Sequence, residues 1–162
     1  MADMIKDHIL DRPNSYIGRS VPRPNAKRLL AGRGTFTDDV TLPRQTHVAF
    51  LRSPYAHAEI LSIDVAAAKE ANGIVAVVTG SEMAEVCSPW VGVLTHLEGL
   101  KSAPQHALAV KKASWQGEPV VAVVANSRAQ AEDAIELIDI EWKELPVVAD
   151  METALDEDTP LI

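Results

Sequence analysis

An α/β (α+β) domain, with helices packed on a mixed sheet, is the fold class that the sequence predicts. Two unbroken apolar runs, Ile74-Val75-Ala76-Val77-Val78 and Val120-Val121-Ala122-Val123-Val124, have strand length and are rich in β-branched residues. Such runs belong to strands buried on both faces. Each gives way to a turn and then to helical spacing. Further on, Ile138, Ile140 and Trp142 alternate with Asp139, Glu141 and Lys143, the period of two that marks a half-exposed strand.

The elements follow in chain order. Residues 1–28 have little periodicity and hold Pro13, Pro22 and Pro24 among scattered charges, which predicts an extended arm that lies against another surface. Residues 29–162 form the domain proper. After a turn region at Gly32–Asp39, His47-Val48-Ala49-Phe50-Leu51 reads as a strand, and Glu59-Ile60-Leu61-Ser62-Ile63 reads as its partner across the Ser53–Ala58 connection. Asp64 is placed to cap a short helix over residues 66–71, which Asn72-Gly73 stops by supplying a left-handed residue. The run at Ile74–Val78 is expected to be the central strand.

Residues 84–116 contain Pro89, Gly92, Gly99 and Pro104, which predict an irregular excursion with one short strand near 107–110. Beyond the second apolar run, Ser127 and Gln130 make a capping box. The helix that follows turns Ala131, Ala134, Ile135 and Ile138 to the core and Glu132, Asp133 and Glu136 to water. Leu145-Pro146-Val147-Val148 extends the last strand beyond a kink. A shift of 46 positions lays Val75–Val78 and Ser81 onto Val121–Val124 and Ser127, so two strand–turn–helix units share one pattern.

Composition bounds what such a domain can do. At 162 residues and 47% hydrophobic, the chain is long enough to bury one core. No apolar run approaches the roughly 20 residues that cross a bilayer, and the start of the sequence is too polar for a secretory signal. The expectation is a cytoplasmic protein without a membrane partner. Cys87 is the only cysteine, so this chain alone assembles no disulfide, iron–sulfur cluster or zinc knuckle. The net charge of −8 is uneven, with nine Lys/Arg against five Asp/Glu in residues 1–52 and one against eleven in residues 132–162. An acidic total argues against nucleic acid as a partner.

A search for catalytic chemistry assigns no catalytic, cofactor-binding or metal-ligating residue. His8, His47, His57, His96 and His106 lack metal-ligand spacing. Gly32-Arg33-Gly34 lacks the third glycine and the preceding strand of a dinucleotide fingerprint. Adjacent carboxylates such as Asp38 and Asp39 diverge, and local turn hydrogen bonding is the reading they favour. His57 stands close to Arg52 and Ser53 after the Pro54 bend, where it is read as a structural hydrogen-bonding group that links the loop to another surface. Arg52, Ser53, His57, Asp39, Gly117 and Glu118 are the structural or interface candidates.

The motifs also stand in a telling order. Gly32-Arg33-Gly34-Thr35-Phe36-Thr37-Asp38-Asp39 comes first, then Arg52-Ser53-Pro54-Tyr55-Ala56-His57-Ala58-Glu59-Ile60, Ile63-Asp64, and Gly73 through Gly80. Gly117-Glu118-Pro119-Val120 and Glu141-Trp142-Lys143-Glu144-Leu145-Pro146 complete the series. From about Ile17 onward the chain resembles the N-terminal α/β-hammerhead domain of the large, molybdopterin-binding subunit of the xanthine dehydrogenase, aldehyde oxidase and carbon monoxide dehydrogenase family.

The resemblance implies a structural and subunit-docking domain of a molybdenum hydroxylase, itself without the catalytic centre. It implies a molybdenum–pterin cofactor in the rest of the large subunit, and iron–sulfur and FAD groups in partner subunits. The short leader implies a separate large subunit of the carbon monoxide dehydrogenase type, and the stop at Ile162 implies a fragment of it. A stand-alone module that binds a protein or ligand with the same fold is the alternative expectation.

Overall fold

The structure, a computed structural model, describes residue 16, residues 20–92 and residues 96–162. Most of the expected N-terminal arm lies outside the described residues. The chain divides into two compact units, Met1–Pro43 and Arg44–Ile162.

In the first unit, helix α1 spans Ala26–Leu30 and a 3₁₀ turn spans Thr37–Asp39. Helix α1 begins inside the stretch expected to be extended, because Ala26, Lys27, Arg28, Leu29 and Leu30 are all good helix formers. The Asp39 carboxylate accepts the Phe36 backbone N–H at 2.9 Å, which is the turn chemistry its sequence context predicts.

The second unit holds β1 (His47–Arg52), β2 (Ala58–Asp64), α2 (Ala66–Glu70), β3 (Ile74–Thr79), α3 (Gly80–Val86), β4 (Lys112–Ala113), β5 (Pro119–Ala125), α4 (Arg128–Ile135) and β6 (Asp139–Glu144). The strands divide between two three-stranded sheets, ordered β1-β5-β3 and β4-β2-β6. Every pairing in both is antiparallel.

The expected partnership of β1 with β2 is therefore corrected. The two strands adjoin in sequence yet lie in different sheets, because strands of like character pair. Strand β1 joins the apolar β5, with His47 opposite Ala125 and Val48 opposite Val124. The half-polar β2 joins the half-polar β6, with Ile60 opposite Trp142 and Ile63 opposite Ile140.

A second correction concerns the centre of the first sheet. Strand β5 holds that place, with Val120, Val121 and Val123 wholly buried, whereas β3 is an edge strand in which only Val77 is buried. An apolar run marks a strand that packs well without saying how many neighbours it has. The 46-residue shift acquires a geometric meaning here, since Val77 and Val123 are directly opposite each other across the β3–β5 pair.

Helix caps close each strand–helix unit differently. Thr79, not Ser81, begins α3 with a full capping box: the Glu82 carboxylate accepts the Thr79 backbone N–H at 2.7 Å, and Thr79 Oγ1 accepts the Glu82 N–H at 3.4 Å. Ser127 caps α4 by accepting the Gln130 N–H at 3.3 Å, but its hydroxyl donates to Gln130 Oε1 at 3.0 Å, so the reciprocal half of the expected box is replaced by a side-chain pair. The N-cap of α2 is Val65 and not the expected Asp64, whose carboxylate, one residue earlier, accepts the Ala66 N–H at 2.9 Å, and Gly73 takes the left-handed φ of +83°.

The excursion between α3 and β5 is irregular, as expected, but its short strand is Lys112–Ala113 and not 107–110. Leu108 and Ala109 are instead core residues, 2% and 3% exposed, and Ala109 donates its N–H to the Pro119 carbonyl at 2.8 Å. Leu145–Val148 makes no strand.

Valine and alanine build the core. Ala131 and Ala134 of α4 pack with Val121, Val123 and Ala125, and the inner faces of β2 and β6 add Ile60, Ile63, Ile140 and Trp142. Small side chains bring the helix backbone close to the sheet. The closest approach is at Gly80, where a Cβ would run into the backbone carbonyl of Ala109.

Two outcomes are expected. Gly80→Ala lowers unfolding stability by at least about 2 kcal/mol in urea titration, since a backbone atom has to move to admit the methyl group. The Glu82 carboxyl is held below the ordinary glutamate range, first by the Thr79 backbone hydrogen bond and next by the Thr79 hydroxyl. A depressed carboxyl stabilises the fold above its unfolded-state pKa and loses that contribution as pH falls through the folded value. Glu82→Gln is therefore destabilising near neutral pH, and the gap between the variant and the wild type closes on acidification below the ordinary glutamate range.

Candidate functional site

Two short connections carry the chain from one sheet to the other at the same end of the second unit. Residues 53–57 lead from β1 to β2, and residues 114–118 lead from β4 to β5. Among the described residues, the buried polar side chains are Ser53, His57 and Glu118, 3%, 5% and 8% exposed, and all three lie in these crossings. Burying such groups is costly unless each finds a partner.

Backbone and side chains stitch the crossings together. Ser53 N–H donates to the Glu118 carbonyl at 2.9 Å, and Gly117 N–H returns a bond to the Ser53 carbonyl at 2.9 Å. Gly117 reaches this position with φ of +89°, a conformation that favours glycine. Arg52 donates from Nη1 to the Gly117 carbonyl at 2.8 Å, while its guanidinium lies 5.6 Å from the Phe50 ring centroid. The Ser53 hydroxyl donates to the Tyr55 carbonyl at 2.8 Å and accepts the Tyr55 N–H at 3.1 Å, which shapes the bend at Pro54.

His57 fastens the crossing to the segment after β6. Its Nδ1 lies 2.7 Å from the Pro146 carbonyl and donates to it, since the carbonyl only accepts, and the His57 carbonyl accepts the Leu145 N–H at 3.0 Å. Nε2 is enclosed and has no partner among the described residues. The Tyr55 and Trp142 rings, 5.7 Å apart and tilted by 59°, add a contact from the loop to β6. Glu118 Oε2 accepts the Ser114 N–H at 2.6 Å and so closes the second crossing on itself.

Arg52, Ser53, His57, Gly117 and Glu118 are thus brought together, although a span of 65 residues separates Arg52 from Gly117. Asp39 belongs to the first unit and caps its own turn. Sequence reasoning missed Ser114, which presents only a backbone N–H, and the carbonyl of Pro146, because backbone partners leave no mark on residue type. Among the described residues, no three His, Cys, Asp or Glu side chains gather so as to hold a metal ion, and no helix is long and apolar enough to cross a membrane.

Residues 31–146 match the family model described as aldehyde oxidase and xanthine dehydrogenase, a/b hammerhead domain. The chain belongs to this family. It is 40% identical, over 87% of its length, to the nicotine 6-hydroxylase large subunit of Paenarthrobacter nicotinovorans, and covers 18% of that protein. With the carbon monoxide dehydrogenase large chain of Afipia carboxidovorans it shares 37% identity over 83% of its length and 16% of the relative. The crystal structure of quinoline 2-oxidoreductase from Pseudomonas putida 86 superposes with a TM-score of 0.80 at 45% identity, covering 86% of this chain and 18% of that one. The hammerhead fold and its place in the molybdenum hydroxylase large-subunit family are therefore established, and the chain spans less than a fifth of these relatives.

Glu118 separates two kinds of substitution. Glu118→Ala strands the partly buried Ser114 N–H and is expected to cost about 1–2 kcal/mol in chemical unfolding, whereas Glu118→Gln retains an acceptor and costs less than about 1 kcal/mol.

Proposed function

We propose that this domain is the structural and subunit-docking part of a molybdenum hydroxylase large subunit, and that its working surface is the open face of the β1-β5-β3 sheet. Helix α4 packs on one face of that sheet. On the other, the register sets Val48, Val124 and Ala76 in one row and Phe50, Ala122 and Val78 in the next. Every residue of this patch is apolar, yet Val48 is 52% and Phe50 44% exposed.

Proteins that work alone seldom leave both faces of a sheet apolar. The relatives of this chain are more than five times longer than the part it matches, which supports the remainder of the large subunit as the occupant of this face. The stitched junction supports the same reading, because it holds the two sheets, and so the patch, in fixed geometry. Arg52, Ser53, His57, Gly117 and Glu118 serve that purpose in the proposal, with no step in catalysis.

The molybdenum–pterin group is not fitted by the described residues, whose buried polar side chains lie in the junction and gather no metal-ligand set. In this reading the cofactor sits on polypeptide beyond the domain, iron–sulfur and flavin groups belong to partner subunits, and the assembly works in the cytoplasm.

Val48→Asp combined with Phe50→Asp in the complete large subunit tests the proposal. Molybdenum content and partner-subunit recovery are expected to fall about tenfold, while the unfolding midpoint of the 162-residue chain moves by no more than about 2 °C. Unchanged metal content and assembly would overturn it.

A further inference from the structure

Beside the junction lies a cavity of about 460 Å³, walled by Val110, Ser114, Trp115, Ile162 and Glu118, with Lys111 and Lys112 also in its lining. Its size falls in the range of ligand and side-chain pockets. Glu118 is the group that the junction leaves half used. One carboxylate oxygen, Oε2, accepts the Ser114 N–H. The other, Oε1, has no hydrogen-bond partner among the described residues. A carboxylate that is nine-tenths buried, with one acceptor unpaired among the described residues, thus lines a cavity.

A buried carboxylate with a single donor is under-compensated, and a cationic donor is the partner that compensates it best. Trp115, 44% exposed on the cavity wall, offers an aromatic face that attracts the same kind of group. Lys111 and Lys112 are exposed and make no ion pair with Glu118. Their charge disfavours a bare cation at the mouth and favours a carboxylate beside it. Inner acceptor, aromatic wall and cationic rim together describe a site for a basic side chain whose chain neighbour is acidic.

We propose that this cavity receives an arginine or lysine side chain, next to an acidic residue, from large-subunit polypeptide outside these 162 residues. The proposal rests on the docking reading for the source of that segment, and deepens it by naming the contact. Glu118 would then have two duties: Oε2 closes the crossing between the sheets, and Oε1 receives the incoming cation.

The test uses the 162-residue chain and the capped dipeptide acetyl-Arg-Glu-amide, followed through the Ser114 backbone amide and the Trp115 indole in ¹⁵N–¹H NMR spectra. Saturable shifts at both signals are expected, with an apparent affinity at least about fivefold weaker in Glu118→Gln, which removes the charge and keeps an acceptor for Ser114. Acetyl-Nle-Glu-amide, with the cation removed, is expected to bind at least as weakly as the variant does. Absence of saturable shifts would overturn the proposal, as would equal binding of the norleucine dipeptide, which would make the cavity merely apolar. Because no subunit assembles in this experiment, its failure leaves the open sheet face to be judged by the Val48 and Phe50 substitutions, and their failure leaves the cavity result intact.

Discussion

Ser53 is the hinge on which the second unit depends. Its N–H and carbonyl bond to consecutive residues of the other crossing, Glu118 and Gly117, so one residue ties the exit of β1 to the entry of β5, where the chain leaves and rejoins the first sheet. Remove that exchange and β1 no longer has a defined exit from its sheet, nor β5 a defined entry. The neighbouring interactions are arranged around it: the Arg52 guanidinium on the Gly117 carbonyl, the left-handed Gly117 that makes the approach possible, and the His57 ring on Pro146. Each takes a backbone group that would otherwise be orphaned at a sheet end and gives it a partner.

The core complements this junction. Wholly buried positions are mostly valine and alanine, and the long aliphatic residues Ile60, Ile63, Ile138 and Ile140 are only partly buried around them. Small side chains at Ala131 and Ala134 let α4 lie close over β1 and β5. Gly80 does the same for α3 against the carbonyl of Ala109. Such packing leaves little slack, so position in the fold is set by backbone proximity and not by a few large anchors. The apolar patch on the far side of the sheet inherits that rigidity.

Much of this was legible in the sequence, and the reasons for the rest are specific. Strand and helix positions followed from period and from local signals at Asp64, Gly73 and Ser127, all residues whose side chains or φ values act on their own neighbours. Pairing was not legible in the same way. Adjacency suggested β1 with β2, but the partner of Leu51 is Val121, 70 positions away, and no local signal encodes that choice. Five of the six candidate residues stood out because polar chemistry between apolar strands demands explanation. Their convergence was invisible because their partners, such as the carbonyls of Gly117 and Pro146, are the same in every residue type.

The central place of β5 has a consequence for how the chain acquires its structure. Strands β1 and β3 both pair only with β5, and β2 gains its long partner only with β6, so neither sheet is complete until residues 119–144 are present. Contacts this distant in sequence slow folding and give no reward to the early part of the chain. On a ribosome, the apolar strands His47–Arg52 and Ile74–Thr79 thus emerge and wait without a neighbour, and the domain closes late and as a whole.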